Sequence, residues 1–183
     1  MKASKKKLKK IGVLGGTFDP PHNGHLEISK FVLKKLKLSK LIWAVTKKNP
    51  LKKRPYFSIK KRINYSKKIT AKISKIKVKS FDNSIKSSKT IKLIQHIKNS
   101  NRETKIFFIM GSDNLINFNR WHKWKKIAEL CEIIVFPRPG YIKKTFKCRA
   151  FKSLGRGKVK IIKFKRINIS SSKIRKSYLR YKN

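Results

Sequence analysis

The sequence IGVLGGTFDPPHNGHL, residues 11–26, predicts a strand, a sharp turn and the start of a helix. Residues 11–14 form an apolar run of the kind found in a buried strand. Gly15 and Gly16 follow, and because they lack a Cβ they let the backbone turn and present bare N–H groups to a ligand. This order of elements leaves a phosphate-sized gap between the strand and the helix.

The predicted helix start has the features of an anion-binding site. We expect Asn23 to be the N-cap, so that the helix opens with unpaired N–H groups and a partial positive charge. His22 and His25 lie three residues apart across this start and can face one anion together. The loop therefore predicts a polyphosphate site. A metal site is not expected here, because no cysteine or further histidine lies nearby to complete a tetrahedral ligand set.

The string GGTFDPPHNGHL, residues 15–26, resembles the signature of the nucleotidylyltransferase superfamily, whose HxGH histidines match His22 and His25. The alternative is an ordinary strand-to-helix turn with two incidental histidines, and a match of this length argues against it. The resemblance implies that both histidines stabilise the triphosphate of ATP and the transition state. It also implies that the glycine pair binds ATP, and that Thr17 and Phe18 line the junction of the two substrates.

Length and composition predict one α/β domain. The chain has 183 residues and a mass of 21.5 kDa, which suits a single domain with an adequate core. Strand-like and helix-like stretches alternate along it. We divide the chain into a basic N-terminal extension, residues 1–10, and one nucleotidylyltransferase-like domain, residues 11–183.

The charge is extreme but evenly spread. Lys and Arg number 52 against 7 Asp and Glu, for a formal charge of +45. Such a charge is typical of proteins that bind nucleic acid or anionic surfaces, yet the lysines occur in every segment rather than in one patch. We expect non-specific polyanion binding and no specific nucleic-acid partner. A basic nucleic-acid-binding protein on the same fold is the alternative from another functional class.

The sequence predicts a cytoplasmic protein that does not enter a membrane. The N-terminus MKASKKKLKK is basic and lacks an apolar segment, and no run approaches the length of a membrane span. Cys131 and Cys148 lack metal-ligand spacing and are expected to be free thiols.

Periodicity predicts five further strands and several helices. The strands are expected at residues 41–46, 76–81, 105–110, 132–136 and 158–164. Helices are expected from residue 23 to about 38, at 58–71, and from 90 to about 97, whereas 146–158 is basic, contains glycine and is predicted to be a loop. The superfamily resemblance implies a Rossmann-like, doubly wound parallel sheet in the order 3-2-1-4-5-6. Ligands bind such sheets at the carboxyl ends of their strands.

Two internal strings match the ATP side of the superfamily pattern. Gly111-Ser112-Asp113 resembles the family's Gly-x-Asp, whose acid lies near adenosine; the alternative is that Asp113 caps the following helix. Asn49-Pro50-Leu51-Lys52 matches a Pro-Pro-His-Lys string, with leucine in place of histidine. Lys52 then reaches the ATP phosphates, or it is a solvated loop lysine.

The C-terminal string ISSSKIR, residues 169–175, resembles the superfamily's second motif. Serines at a helix start can cap the helix and hydrogen-bond a phosphate, and an arginine one turn later adds a fixed positive fork. The resemblance assigns Ser170, Ser171 and Arg175 to ATP, with Ser171 and Asp113 on the adenylate side.

Residues 119–141 resemble the bacterial nicotinate-nucleotide adenylyltransferases, through a tryptophan followed by the string RPGY. The resemblance implies that Trp121 stacks on the pyridine ring, that the His122 backbone lies near the carboxylate, and that Arg138 contacts the nicotinate nucleotide. Trp124, three residues on, is expected only to pack. Ser88-Lys89-Thr90 replaces the family's Ser-Tyr-Thr; the backbone near Thr90 either holds the carboxylate or caps a helix, or does both.

These resemblances imply an enzyme that transfers the adenylyl group of ATP to nicotinate mononucleotide, with Mg²⁺ accompanying ATP. The nucleotide phosphate is itself the nucleophile, so no catalytic triad is expected. A phosphopantetheine adenylyltransferase shares both terminal motifs and is one alternative. A nicotinamide-preferring enzyme is another, since one carboxylate distinguishes the two substrates.

Overall fold

In this computed structural model, the structure describes residues 8–49, 54–101, 103–164 and 169–180. Its centre is a six-stranded sheet in which every neighbouring pair is parallel. The strands are β1 (Lys9–Gly16), β2 (Lys40–Val45), β3 (Ile76–Lys79), β4 (Thr104–Gly111), β5 (Glu132–Phe136) and β6 (Val159–Ile161). The sheet order β3-β2-β1-β4-β5-β6 confirms both the predicted fold class and the predicted strand order.

Eight α-helices occur within the described ranges. They are α1 (Asn23–Lys35), α2 (Ile59–Thr70), α3 (Thr90–Asn99), α4 (Ser112–Ile116), α5 (Trp124–Leu130), α6 (Ile142–Lys147), α7 (Arg149–Lys158) and α8 (Ser171–Arg180). A short 3₁₀ helix, Phe118–Arg120, separates α4 from α5.

The predicted loop over residues 146–158 is wrong, because most of this segment is helical. Helix α7 begins at Arg149, and its Ala150 is fully buried in the core. Phe151 and Leu154 pack against the same core, so an apolar stripe outweighs the basic and glycine-rich composition. Gly155, with φ of 65°, interrupts the helical backbone near its end.

Two hydrophobic layers cover the sheet, one on each face. On one face, core residues of β1 and β4 pack with residues of α3, α5 and α7, including Ile94, Ile127 and Ala150. On the other, Trp43 of β2 packs with Val32 of α1. Burial on both faces explains the nearly continuous apolar runs of the central strands.

The sheet order places a topological switch point between β1 and β4. These two strands are adjacent in the sheet, with Leu14 opposite Ile109, although three helices and two strands separate them in sequence. Open parallel sheets bind ligands outside the carboxyl ends of their strands at such a point. The ends of β1 at Gly16 and of β4 at Gly111 therefore mark where a site is expected.

None of the helices in the described ranges is both long enough and apolar enough to cross a membrane.

Candidate active site

A cleft of about 1440 Å³ opens at the carboxyl ends of the strands. It brings together segments far apart in sequence: the loop after β1, the starts of α3 and α8, and the segments after β4 and β5. Fourteen of the residues assigned to the site from the sequence line it: Gly15, Gly16, Thr17, Phe18, His22, His25, Thr90, Gly111, Trp121, His122, Arg138, Ser170, Ser171 and Arg175.

Two of the predicted site residues are not in this lining. Lys52 falls outside the described residues, as do Pro50 and Leu51 of the same string. Asp113 lies behind the cleft wall, with its Oδ1 atom 3.2 Å from Nε of Arg138. The structure therefore places Asp113 beside a cleft cation.

The backbone of Gly111 leaves room for this ion pair. A Cβ at Gly111 would lie 2.5 Å from Oδ1 of Asp113 and 2.8 Å from Nε of Arg138, closer than real Cβ contacts allow. Gly111 is also the N-cap of α4, and Asp113 lies in its first turn. The alternative in which the Asp113 side chain caps this helix is wrong.

The N-cap of α1 is His22 rather than the predicted Asn23. His22 has an extended backbone, with φ −152° and ψ 169°, and Asn23 is the first helical residue. The backbone N–H of His22 donates to Nδ1 of His25 at 3.3 Å. A histidine three residues into the helix thus satisfies the cap backbone, as a glutamate or glutamine does in a capping box.

The two histidines lie side by side at this helix start. Their ring centroids are 3.9 Å apart, and His22 is only 8% exposed. Burial, with a smaller contribution from the positive charge of Arg138, lowers the pKa of His22 from 6.5 to about 4. His22 is therefore neutral at pH 7, and its buried Nδ1 makes no hydrogen bond to any described residue.

Hydrogen bonds and stacking fix the position of His25 from behind. Trp43, which is fully buried, donates its indole N–H to Oγ of Ser29 at 2.8 Å. Ser29 in turn donates to the carbonyl of His25 at 2.7 Å. Phe18 stacks on Trp43 with centroids 4.7 Å apart and has a φ of 49°. The core thus supports the anion-binding loop directly.

Asp19 connects the loop after β1 to two other segments. Its buried carboxylate accepts the N–H groups of Tyr56 at 2.7 Å and Phe57 at 2.8 Å. Arg175 of α8 donates to the Asp19 carbonyl and lies 3.6 Å from its Oδ2 atom. The acid in the first motif and the arginine in the second therefore form one structural unit.

The serines at the start of α8 hold this helix against the same loop. Ser171 donates to the carbonyl of Pro20 at 2.9 Å. Oγ of Ser170 accepts the N–H of Lys173 at 3.3 Å, so Ser170 caps α8 in the way the sequence indicates. The first motif and the C-terminal motif thus meet at the cleft.

Trp121, Thr90 and His122 line the other end of the cleft. Trp121 is half-buried and contacts Phe118, with centroids 5.3 Å apart. Thr90 is the first residue of α3 and Lys89 is its N-cap, so the interpretation of Thr90 as the helix cap is wrong. His122 is exposed; desolvation and the nearby positive charge of Lys89 lower its pKa. Trp124 packs on Phe118 at 5.9 Å, as predicted.

Arg62 and Asp82 have structural roles at the site that the motifs did not reveal. Arg62 is 2% exposed and donates to backbone carbonyls on both walls of the cleft, at Thr17 and Thr46. Asp82 accepts the Thr46 hydroxyl at 3.0 Å. One feature of the sequence could have indicated that Arg62 is buried: it lies three residues after Ile59, on the apolar face of a predicted helix.

Within the described ranges, no group of three or more His, Cys, Asp or Glu side chains could hold a metal ion. The two acids that line the cleft, Asp19 and Asp82, are already engaged with backbone N–H groups.

The fold and the cleft together define a nucleotide-transferring protein. A family model described as cytidylyltransferase-like matches residues 13–177, and the chain belongs to that family. A Pelagibacter ubique protein named "probable nicotinate-nucleotide adenylyltransferase" is 48% identical over 91% of this chain and 92% of its own length. A Rhizobium meliloti protein of the same name is 40% identical over 71% of this chain and 69% of its own. Within the cytidylyltransferase-like family, the chain is therefore a member of the nicotinate-nucleotide adenylyltransferases, which are nucleotidyltransferase enzymes.

A solved structure shows the same fold at low sequence identity. It is the Plasmodium falciparum nicotinic acid mononucleotide adenylyltransferase complexed with NaAD, with a TM-score of 0.71 and 21% identity. The match covers 92% of this chain and 83% of that one. The likeness shows that the two chains share one fold.

Proposed function

We propose that this protein transfers the adenylyl group of ATP to nicotinate mononucleotide, releasing pyrophosphate and forming nicotinate adenine dinucleotide for NAD biosynthesis. The observation that carries the proposal is a single cleft lined by both the histidine pair at the start of α1 and the aromatic face of Trp121. One end suits a triphosphate and the other a flat ring. Family membership supports the same pair of substrates.

The chemistry needs no nucleophile from the protein. The ionised 5′-phosphate of nicotinate mononucleotide attacks the α-phosphorus of ATP, the new P–O bond forms, and the bond to the β-phosphate oxygen breaks. Catalysis then consists of aligning two anions and stabilising the charge on the leaving pyrophosphate. We assign this role to His25 and Arg175, which line the cleft, and to the N–H groups at the start of α1.

His22 acts as a neutral hydrogen-bonding group that a bound phosphate can turn into a cation. Its buried Nδ1 lacks a partner among the described residues, and a phosphate oxygen at this helix start would supply negative charge beside it. An adjacent anion favours the charged form of an imidazole. ATP binding therefore raises the pKa of His22 from its value of about 4 in the free protein.

The nicotinate nucleotide occupies the other end of the cleft. Trp121 presents an aromatic face to the pyridine ring, and stacking of a base on such a face contributes about 1–3 kcal/mol. The backbone of Thr90 and His122 and the guanidinium of Arg138 contact the nicotinate side. Asp113 acts through Arg138, because its carboxylate holds that guanidinium rather than lining the cleft.

The adenylate is held by the segment after β4 at Gly111 and by the serines that start α8. Mg²⁺ would enter as part of the ATP substrate and would neutralise charge on its phosphates. This fits the described acids of the cleft, since Asp19 and Asp82 already accept backbone hydrogen bonds. A contact of Lys52 with the ATP phosphates stays a prediction.

The test is pyrophosphate release with MgATP and three acceptors in parallel: nicotinate mononucleotide, nicotinamide mononucleotide and phosphopantetheine. We expect clear preference for the first. Turnover of phosphopantetheine would support the cleft as the active site but would show that the proposed substrate is wrong. Equal use of the two mononucleotides would overturn the carboxylate specificity, and no turnover with any acceptor would overturn the proposed activity.

A further inference from the structure

Arg62 occupies an unusual position, since its charged side chain lies almost fully inside the domain. It belongs to α2 and is 2% exposed. Burying an arginine is costly unless all of its donors are satisfied. The reason for its presence must therefore lie in what the guanidinium holds.

The guanidinium donates to four backbone carbonyls from three segments. Nε donates to Phe57 at 2.9 Å, Nη1 donates to Thr17 at 2.5 Å and to Thr46 at 2.8 Å, and Nη2 donates to Lys47 at 3.1 Å. Only an arginine side chain has a planar group with five N–H donors, so no other side chain could donate to these four carbonyls at once. Arg62 thus joins the loop after β1, the end of β2 and the start of α2.

Two of the chain's three aspartates reinforce these joints. Asp19 accepts the N–H groups of Tyr56 and Phe57. Asp82 accepts the N–H of Lys47 at 2.6 Å. Arg62 donates to the carbonyls of Phe57 and Lys47. In each of these two residues, the backbone carbonyl is therefore held by a guanidinium and the backbone N–H by a carboxylate.

The contact with Thr17 has a consequence for the cleft. The carbonyl of Thr17 and the N–H of Phe18 belong to one peptide unit, and in a trans peptide the two groups point in opposite directions. Arg62 draws the carbonyl towards the interior of the domain. The N–H of Phe18 then points away from that interior, in a loop where both Thr17 and Phe18 line the cleft.

We infer that Arg62 is a positioning residue: its buried guanidinium fixes the Thr17–Phe18 peptide so that the Phe18 N–H is presented to a phosphate group in the cleft. The inference rests on the proposed function for the identity of the natural ligand, ATP. The orientation of the peptide and its use by a polyphosphate can be measured without any turnover.

The first test compares Arg62→Lys and Arg62→Gln with the unchanged protein. An ammonium group has three N–H donors and no planar fork, so we expect Arg62→Lys to retain part of the function and Arg62→Gln to retain less. Misplacement of a binding group by about 1 Å can cost on the order of 100-fold. We expect kcat/KM for ATP to fall about 10-fold in Arg62→Lys and about 100-fold in Arg62→Gln.

The matched control is Thr70→Val on the same helix. Thr70 is buried, and its hydroxyl donates to the carbonyl of Ser66 at 2.8 Å, within α2. Its loss destabilises the helix without touching the cleft. We expect a lower melting temperature and unchanged kinetic constants for the fraction that is folded. If Thr70→Val at equal stability loses as much kcat/KM as Arg62→Lys, the positioning role is wrong.

The second test needs no substrate. Inorganic tripolyphosphate is titrated into ¹⁵N-labelled protein at about 0.5 M salt, which screens the diffuse attraction of the many surface lysines. We expect the Phe18 amide signal to shift on binding in the unchanged protein, and Arg62→Lys to alter its starting position and weaken the affinity about 10-fold. A Phe18 signal and an affinity that are the same in both proteins would overturn the inference.

The two proposals fail in distinguishable ways. If the unchanged protein turns over none of the acceptors yet its Phe18 amide responds to tripolyphosphate through Arg62, the proposed reaction is wrong and the positioning role stands. If turnover is normal and Arg62→Lys has normal kinetic constants, the positioning role is wrong and the reaction stands.

Discussion

The two ends of the cleft are built differently. At the phosphate end, the groups that define the site are buried: His22 is 8% exposed, Asp19 5% and Arg62 2%. Each of the two charged groups is bonded to more than one backbone group. This end is fixed before any ligand arrives.

At the end that we propose binds the nicotinate nucleotide, which we call the nicotinate end, Trp121 and His122 are more exposed. His122 is exposed, and Trp121 is half-buried against Phe118. An anionic triphosphate requires prearranged dipoles, whereas a flat ring requires mainly an aromatic surface. The comparison shows that the buried polar network of this protein lies at the phosphate end. In the proposed reaction, this is the end where charge develops.

The largest effect is expected at His25. Removing one preorganised group that stabilises transition-state charge costs about 100- to 1000-fold in kcat, and we expect His25→Ala to lose activity by about that factor. Steady-state kinetics measure it. His96→Ala is the control, since His96 is an exposed histidine of α3, and it should keep full activity. Because His25 also accepts the N–H of His22, His25→Gln tests the same role with an acceptor retained. A folded His25→Ala protein with full turnover would show that His25 does not stabilise the transition state at the phosphate end.

The next effect is a pH dependence of stability carried by His22. Its pKa is about 4 in the folded protein and 6.5 when unperturbed, so the unfolded state binds the proton more tightly. The contribution is fully present above pH 6.5 and is lost as pH falls towards 4, by at most about 3 kcal/mol. Denaturant titrations between pH 7 and pH 4 measure this loss.

The control for the pH effect is His22→Gln, which cannot titrate. We expect the free energy of unfolding of this variant to fall less steeply over the same interval. Equal slopes in the two proteins would mean that His22 is not the buried neutral group that the phosphate end requires. Saturating tripolyphosphate should also reduce the slope in the unchanged protein, because a bound anion raises the pKa of His22.

A smaller effect is expected from the aromatic wall at the other end. Trp121→Leu removes the stacking surface, so KM for nicotinate mononucleotide should rise by about 5- to 150-fold, corresponding to about 1–3 kcal/mol. Trp124→Leu is a matched control, because Trp124 packs on the same Phe118 without lining the cleft. It should lower the melting temperature and leave KM unchanged. The reverse pattern would exchange the roles of the two tryptophans.

The smallest effect concerns the ion pair behind the cleft wall. Asp113→Asn frees a half-exposed guanidinium from a partner at 3.2 Å. Exposed pairs contribute about 0.2–1 kcal/mol, so KM for nicotinate mononucleotide should change by only about 1.5- to 5-fold. Glu129→Gln breaks a comparably short pair with Lys126 on α5 and should change nothing. A loss of 100-fold in Asp113→Asn would show that the nicotinate end is as tightly organised as the phosphate end.

Much of the fold was predictable because hydrophobic periodicity is a local property. The six strands and the single α/β domain are confirmed, and so is the strand order, which the superfamily resemblance implied and periodicity could not supply. The failure at α7 came from composition, since basic residues and glycines conceal a stripe made by Ala150, Phe151 and Leu154. The N-cap of α1 was missed by one residue, because His25 satisfies the cap backbone and histidine is not a usual capping side chain.

The candidate site was predictable where function requires a contiguous string. Residues 15–25 and 169–175 each form a recognisable sequence motif. The structure brings the two motifs together at Asp19 and Arg175. The position of Asp113 behind Arg138 was not predictable, because an acid beside a helix start looks the same in sequence whether it faces a ligand or a neighbouring side chain.

By itself, the sequence determined the strand–turn–helix of the first motif and a helix start suited to an anion, and its motifs carried the resemblance that implied the parallel sheet. Backbone sterics, periodic burial and the charge of a helix start all act between neighbours in the chain. Only the tertiary structure decided that Arg62 would be buried among the carbonyls of Thr17, Thr46, Lys47 and Phe57. Every residue type has a backbone carbonyl, so the residue types in the sequence do not show which carbonyls will accept a hydrogen bond from Arg62. The fold must first bring these four carbonyls together.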